Sequence, residues 1–301
     1  MAHDQRSART SDHRPAPAPP RPGRPSPAPA QHLIPAPPEV PPSQVPPCAA
    51  ADGPPAATAR PRARRRRLVA ASVVALAVGG TLLSEVPAAA AGVPRGHDVS
   101  SHQKNVNWSG ARANGARFVY VKATESHFYR NPYFTQQYNG SRAAGLLRGA
   151  YHFAVPSASS GTAQARHFLA NGGGWRGDGW TLPPALDIEH NPYNRSKPCY
   201  GMAGAPMVRW IRAFSNEVVR QTGRHPVIYT TTGWWNRCTK GSRAFGLNHP
   251  LWLASWHSAP GPLPAGWSLL SFWQHGNSGS LPGDQNRWNG SMGALKKFAR
   301  G

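Results

Sequence analysis

Acidic residues are scarce in this chain. Its 301 residues include 12 Asp and Glu against 34 Lys and Arg, and from Gly92 onwards the counts are 7 and 23, a formal charge of +16. A surplus of this size bears on partners and solubility rather than on fold. Because carboxylates are so few, we expect each one to have a specific role.

The short motifs of two common enzyme classes are also missing. No G-x-S-x-G turn is present, which argues against Ser-His-Asp hydrolysis on a strand-to-helix elbow. The 13 histidines form no H-E-x-x-H or comparable ligand set, so we expect no catalytic metal and no other cofactor. No internal repeat or tandem binding module is visible.

The chain has no apolar run of the length that a membrane-spanning helix usually has. Its main apolar stretch, LVAASVVALAVGGTLL at 68–83, has sixteen residues, short of the roughly 20 that a membrane helix needs. It follows RPRARRRR and precedes SEVPAAAAG, an order typical of a secretory signal peptide with cleavage near Ala90 or Ala91. We therefore predict that residues 68–91 direct secretion; the alternative is a membrane anchor formed by 68–83.

Large apolar side chains are rare before this stretch. Residues 1–67 consist mainly of Pro, Ala, Arg and small polar residues, a composition that cannot offset its own ordering entropy and favours extended, solvated backbone. We predict a disordered segment. Such a preamble before a signal peptide is unusual, so we expect the true translation start to lie downstream of Met1.

Cysteine is limited to Cys48, Cys199 and Cys238. The last two form an even pair in the segment predicted to be exported, where disulfides persist. We expect them to pair and to close a loop of about forty residues, a constraint that contributes roughly 4 kcal/mol on the chain-entropy estimate. A zinc site is the weaker interpretation, because no second pair of ligands lies at metal spacing around either cysteine.

The segment from Gly92 to Gly301 alternates between short apolar or β-branched runs and stretches of helical character. We predict helices at 107–115, 132–145, 161–173 and 205–223, and strands at 96–102, 117–126, 147–156, 182–190, 225–233, 250–257 and 269–276. This alternation predicts the α/β class and a single flattened TIM-like β/α barrel at 92–301, with some helices short or missing because the segment is small. An open doubly wound sheet is the alternative.

The clearest functional signal is the pair of carboxylates in ALDIEHN. On a strand, residues two apart project from one face, so Asp187 and Glu189 are expected to share a cleft. Two close carboxylates favour keeping one proton near neutral pH, which is what glycoside hydrolysis requires. The alternative is a pair of strand-end acids neutralised by Arg or Lys. Asp98, at the end of the first strand, and Asp284 can face the same mouth, although either can be a turn-former.

Aromatic side chains accompany these acids. Tyr151, Phe153, Tyr229, Trp256 and Trp273 lie near the predicted strand ends, together with Gln274. Sugar rings have apolar C–H faces as well as hydroxyls, so a cleft with aromatic walls and a few polar groups suits a polysaccharide. Because most buried aromatic residues are core, we expect no more than about half of those near the acids to contact a ligand.

An ordered set of segments resembles one enzyme family. HDVSSHQ with VNW, FVYVKATES, GAYHFA, PALDIEHN, VIYTTTGWW, LWLASW, FWQHG and a late D-x-N cover 96 to about 300. Together they resemble the glycoside hydrolase family 25 lysozymes, the Chalaropsis-type N-acetylmuramidases. The resemblance implies a flattened β/α barrel and cleavage of the β-1,4 bond between N-acetylmuramic acid and N-acetylglucosamine in peptidoglycan.

The resemblance also implies roles for individual residues. By position, Glu189 matches the general acid, Asp187 its partner, and Asp98 and Asp284 two further acids of the groove. Tyr151, Tyr229, Trp256, Trp273 and Gln274 match saccharide contacts, with Trp256 standing where a tyrosine is expected. The implied partner is an anionic wall polymer rather than nucleic acid, with membrane contact only through 68–91, and we expect a monomer. A non-catalytic wall-binding domain and a chitinase-like glycosidase are the alternatives.

Overall fold

The computed structural model describes residues 92–301, so the predictions for 1–67, for 68–91 and for Cys48 lie outside the described residues. The strands are β1 Arg95–Val99, β2 Ala116–Glu125, β3 Tyr129–Arg130, β4 Leu147–Phe153, β5 Ala185–Asp187, β6 Val227–Thr230, β7 Leu251–Ala254, β8 Phe272–Gly276 and β9 Asp284–Trp288. The helices are α1 Trp108–Ala113, α2 Phe134–Ala143, α3 Gly161–Ala170, α4 Ala205–Thr222, α5 Thr232–Cys238 and α6 Met292–Arg300. None of these helices has the length and apolar character needed to cross a membrane.

Eight strands close into a barrel. They pair in the order β1, β9, β8, β7, β6, β5, β4, β2, and β2 pairs again with β1. All pairings are parallel except those of β9, which is antiparallel to both neighbours, while the two-residue β3 only extends β2 as a hairpin. The predicted α/β barrel with few helices is therefore confirmed, and the open doubly wound sheet is wrong.

Side chains alternate between the inside and the outside of the barrel, as a pleated strand requires. Tyr120, Trp252 and Phe272 fill the inside, where the Tyr120 and Trp252 rings stack with centroids 4.8 Å apart. Two inward-facing strand positions are glycine for lack of space: a Cβ on Gly149 would overlap the Tyr120 ring, and one on Gly96 would come within 2.5 Å of the Phe118 ring.

In the outer layer, α3 and α4 pack side by side. α4 begins next to Pro206 and ends at Gly223, which adopts a left-handed φ of 69°, as is common at helix ends. Its apolar face, including Ile211, Phe214 and Val218, is buried with the outward-facing Leu186 and Ile188 of the β5 region. This packing holds the chain that carries Asp187 against the helical layer.

The sequence patterns do not predict four of the observed elements, which are β3, β9, α5 and α6. In β9, DQNRW has no apolar alternation. Residues 232–233, predicted to end a strand, instead begin α5, whose Thr231 cap accepts a hydrogen bond from the Trp234 amide. The predicted strand at 182–190 is shortened to 185–187, because Pro183 and Pro184 lack the N–H groups that a ladder needs.

Candidate active site

Four carboxylates gather at the C-terminal end of the parallel strands. Asp98 is in β1, Asp187 ends β5, and Glu189 follows two residues later. Asp284 opens β9 and pairs with Asp98 in the antiparallel register, because β9 runs in the opposite direction. In β/α barrels this end of the strands carries the chemistry.

The four acids converge around Tyr151 and Tyr229. Both tyrosines are buried, and burial followed by the charges of all four carboxylates raises the pKa of each hydroxyl well above its ordinary value. The Tyr229 hydroxyl donates a 3.0 Å hydrogen bond to Oε1 of Gln274. Both tyrosines predicted from sequence are therefore in the same polar pocket as the acids.

Asp98 is held by amide donors from β8 and β9. Its Oδ2 accepts hydrogen bonds from Gln274 Nε2 at 3.0 Å and from Asn286 Nδ2 at 2.7 Å. Gln274 Nε2 also lies 3.3 Å from Asp284 Oδ2. Burial and the neighbouring Asp284 raise the pKa of Asp98, and the two amides counteract that rise. Gln274 thus links two of the acids.

The sequence predicts that Asp187 and Glu189 lie on one strand at 182–190. In the structure the strand ends at Asp187, so Glu189 lies beyond it. Asp187 ends β5 and is buried, whereas Glu189 is partly exposed beyond it. The alternation nevertheless continues, because Ile188 packs in the outer layer and its amide donates to the Tyr229 carbonyl at 3.0 Å. No arginine or lysine within residues 92–301 forms a salt bridge with either carboxylate.

The electrostatics favour a proton on this cluster near neutral pH. Burial, followed by the charge of Asp284, raises the pKa of Glu189 to about 7, and burial raises the pKa of Asp284 to about 6. Burial and the charge of Glu189 raise the pKa of Asp187. Asp187 Oδ1 is also buried with no hydrogen-bond partner among the described residues. The cluster therefore combines carboxyl groups with raised pKa values and a buried acceptor that no described group uses.

A single lysine opposes these shifts. Lys122, on β2, lowers the pKa of both Asp187 and Glu189. Its Nζ is 2.6 Å from Glu125 Oε2 and 4.8 Å from the centre of the Phe153 ring. Phe153 thus lies at the edge of the acidic cluster, beneath the ammonium group.

The two predicted tryptophans differ in position. Trp256 follows β7, is 46% exposed and donates from Nε1 to Gln274 Oε1 at 3.0 Å, so its ring lies at the rim of the cluster. Trp273 does not join the cluster. Its neighbours Phe272 and Gln274 point into the barrel, while its own Nε1 donates to the Ser255 carbonyl and its ring lies beside Arg287.

The sequence names Asn286 only as the last residue of the late D-x-N motif, and it indicates no role for Lys122 or Tyr193. Asn286 was detectable, since it stands two positions after Asp284 and so shares its face. Tyr193, whose hydroxyl donates to Glu125, lies on an irregular segment where no periodicity could have indicated its direction. His152, near the end of β4, faces outwards and is buried between Thr124 and Gln164.

The predicted disulfide is present. Cys199, after β5, is bonded to Cys238, the last residue of α5. It ties the segment carrying Glu189 to the helix after β6. Within residues 92–301 no group of three or more His, Cys, Asp or Glu side chains is arranged to hold a metal ion.

Comparison with known proteins identifies the family. The model of glycosyl hydrolases family 25 matches residues 97–284. The chain belongs to this family. The N,O-diacetylmuramidase of Chalaropsis sp. is 47% identical over 211 residues, which cover 69% of this chain and 99% of the relative. Lysozyme M1 of Streptomyces globisporus is 43% identical, over 71% of this chain and 73% of its own length.

Solved structures of lysozymes are also similar to this chain. A family GH25 lysozyme from Aspergillus fumigatus has a TM-score of 0.68 at 47% identity and is covered completely by 69% of this chain. The bacterial lysozyme of Streptomyces coelicolor has a TM-score of 0.66 at 43% identity, over 69% of this chain and 97% of its own. The predicted membership of the family 25 glycoside hydrolases, a family of lysozymes and muramidases, is confirmed.

Proposed function

We propose that this protein hydrolyses the β-1,4 bond between N-acetylmuramic acid and N-acetylglucosamine in bacterial peptidoglycan. The observation that carries the proposal is the placement of Asp98, Asp187, Glu189 and Asp284 at the mouth of the barrel, where Gln274 bonds to Asp98, to Asp284 and to the buried Tyr229, and where Asp187 is paired with Tyr229 in the sheet. The kinship with proteins named muramidase and lysozyme supports the choice of glycan.

Glu189 is the general acid in this proposal. Burial and Asp284 raise its pKa to about 7, so about half of the molecules carry this proton at neutral pH and can donate it to the glycosidic oxygen as the bond breaks. Positive charge then develops at the anomeric carbon. The surrounding carboxylates stabilise that charge in a partly dehydrated pocket.

Asp187 is the partner carboxylate. Its unpaired, buried Oδ1 is suited to accept a hydrogen bond from the reacting sugar's acetamido N–H or from the attacking water. Asp98 and Asp284 are positioning residues here, with Gln274 and Asn286 fixing Asp98. Gln274 also fixes Tyr229 and Trp256, whose rings we propose as saccharide contacts together with Tyr151 and Phe153.

The test compares the wild type with Glu189→Gln on purified peptidoglycan. We expect the loss of the general acid to lower kcat by about 10²–10⁴-fold. Asp178→Asn is the matched control, because Asp178 lies in the loop before β5 at the opposite end of the barrel and its carboxylate only caps the turn at Trp180 and Thr181. Mass analysis of the released fragments identifies the bond that is cut. Equal turbidity loss with wild type and Glu189→Gln would contradict the assignment.

We also propose that the enzyme acts outside the cell as a monomer. The support is the basic, apolar and small-residue order of 60–91. N-terminal sequencing of the protein from culture supernatant tests export; a start near Ala91 is expected, and retention in the membrane fraction would favour the anchor formed by 68–83. Light scattering of the purified protein measures its molar mass in solution, and we expect the mass of a single chain.

A further inference from the structure

A cavity lies around the Cys199–Cys238 disulfide, and its lining carries three cations. It has a volume of about 320 Å³ and is bounded by the segment 196–203 and by α5 with the residues after it. Three of its lining residues are Lys197, Arg237 and Lys240, and none is acidic. We call this cavity the cationic pocket.

The topology places the cationic pocket on the same end of the barrel as the four acids. One wall belongs to the connection after β5, and such connections lie at the C-terminal face. The other wall is the end of α5, which the disulfide joins to that connection. Ser196 in the lining is seven residues after Glu189. The pocket wall is also bonded to the residues just after Glu189, since the Asn191 amide donates to the Pro198 carbonyl and Asn191 Nδ2 to the Lys197 carbonyl, both at 3.2 Å.

The walls of the pocket are fixed by covalent and hydrogen bonds. The disulfide from Cys199 to Cys238 joins them, and the Gly204 amide donates to the Cys238 carbonyl at 2.8 Å. The Pro198 carbonyl accepts from Trp234 Nε1 at 3.0 Å. Because the backbone of this site is already fixed, ligand binding does not have to order it, and the lower entropy cost favours affinity.

The cations of the pocket have no protein counterion. Lys197, Arg237 and Lys240 are exposed, and within residues 92–301 none of them forms a salt bridge. The seven described acids lie elsewhere. Four form the acidic cluster, Glu125 pairs with Lys122, Glu217 pairs with two arginines, and Asp178 accepts from the Trp180 and Thr181 amides. Three like charges around one open cavity repel one another, and a bound anion relieves that repulsion.

We propose that the cationic pocket binds a carboxylate of the peptide that substitutes the muramic acid of the substrate. This inference rests on the proposed function and adds a specificity site to it. A glycan strand lying across the four acids projects its peptide substituents away from its own axis, and the pocket offers a cationic partner for them on the segment that follows Glu189. The pocket therefore makes the enzyme prefer peptide-bearing glycan over bare glycan.

The test uses two glycan preparations and one double variant. The substrates are peptidoglycan fragments with their peptides and the same fragments after the peptides have been removed by an amidase. The variant is Lys197→Gln with Lys240→Asn; asparagine is chosen because residue 240 has a left-handed φ of 57°, which asparagine tolerates. We expect KM for the peptide-bearing substrate to rise roughly tenfold with kcat unchanged, and both constants for the bare glycan to stay as in the wild type.

The matched control is Lys296→Gln with Lys297→Gln, which removes the same charge from exposed positions on α6. It is expected to leave the preference between the substrates intact. An equal loss on both substrates, or no loss on either, overturns the inference. So does a loss that disappears when phosphate-bearing wall polymers are stripped while the peptides remain, because the pocket would then serve phosphate.

Binding distinguishes failure of this inference from failure of the proposed function. If the wild type cleaves neither substrate, the proposed function fails. Calorimetric titration of Glu189→Gln protein with the two fragments then still reports on the pocket. Tighter binding of the peptide-bearing fragment, weakened by the Lys197 and Lys240 substitutions, supports the inference, and equal binding of both fragments overturns it.

Discussion

The side-chain amide of Asn286 donates a 2.7 Å hydrogen bond to the carboxylate of Asp98, although 188 positions separate the two residues in the chain. The contact exists because β9 runs antiparallel beside β1, which puts the inward-facing positions of both strands at the same height in the barrel. The other side of the Asn286 amide, Oδ1, accepts from Trp252 Nε1 at 2.7 Å. One side chain thus joins the acidic cluster to the aromatic interior.

Asn286→Ala is expected to lower both stability and activity. The Trp252 indole loses its buried acceptor, which costs about 1–3 kcal/mol of unfolding free energy, and Asp98 loses a donor that counteracts the rise of its pKa. Denaturant unfolding measures the first effect and kcat the second. The control is Asn289→Ala, which removes an exposed hydrogen bond to the Leu270 carbonyl and is expected to cost less than Asn286→Ala. A smaller loss at Asn286 than at Asn289 would contradict this account.

Most of the barrel was predictable because its strands read as apolar runs. Such runs at 117–126 and 147–156 correspond to β2 and β4, both buried on their inner and outer faces. β9 was not predictable in this way, because Asp284 and Asn286 face a polar pocket inside the barrel and the strand has no hydrophobic signature. The polar residues that make β9 hard to predict from sequence are the ones that supply a carboxylate and an amide donor to the site.

The part of the site that lies at the ends of predicted strands could be predicted from the sequence. Asp98, Asp187 and Gln274 lie on strands whose ends share one edge, so their convergence follows from the topology. The positions of Lys122 and Trp273 could not be predicted. Lys122 lies in an ordinary β2 pattern, and Trp273 follows from the register of β8, where a shift of one residue exchanges inside for outside.

Gly149→Ala tests how tightly the interior is packed. A methyl group there would overlap the Tyr120 ring, which is held by its stacking on Trp252 and by a hydrogen bond to the Pro183 carbonyl. Overpacking of this kind costs about 1–3 kcal/mol, and the thermal midpoint should fall accordingly. Gly233→Ala is the control. It has no neighbour within 4 Å and lies in α5, so it should be neutral or stabilising by up to about 1 kcal/mol.

Loss of the disulfide is expected to destabilise the protein. Cys199 and Cys238 are 39 positions apart, and on the chain-entropy account closing such a loop contributes on the order of 2–4 kcal/mol. The double variant Cys199→Ser with Cys238→Ser, compared with the wild type in differential scanning calorimetry, measures this contribution. A reducing agent should lower the midpoint of the wild type and leave the double variant unchanged. An equal effect of the reductant on both proteins would show that another group is responsible.

The pH dependence of hydrolysis tests the electrostatics of Glu189. Burial and Asp284 raise its pKa to about 7, while Lys122 opposes that shift. A general acid must be protonated to act, so kcat/KM should fall as the pH rises through about 7. Asp284→Asn removes the negative charge and should move this alkaline limb to lower pH. Lys122→Met removes the positive charge and should move it to higher pH.

The same shift predicts a change in stability with a definite sign. The ionised form of Glu189 is disfavoured in the folded protein, so the wild type should lose stability relative to Glu189→Gln as the pH rises from about 4.5 to about 7, with a constant difference above that range. Comparing the two proteins cancels the effect of other titrating groups, such as the buried His97 and His152, whose pKa values burial lowers to about 4 and about 3. Two results together would contradict the assignment of Glu189. The first is a stability difference between wild type and Glu189→Gln that does not change from pH 4.5 to about 7, and the second is an unchanged alkaline limb in Asp284→Asn and in Lys122→Met. The general acid would then be one of the other three carboxylates.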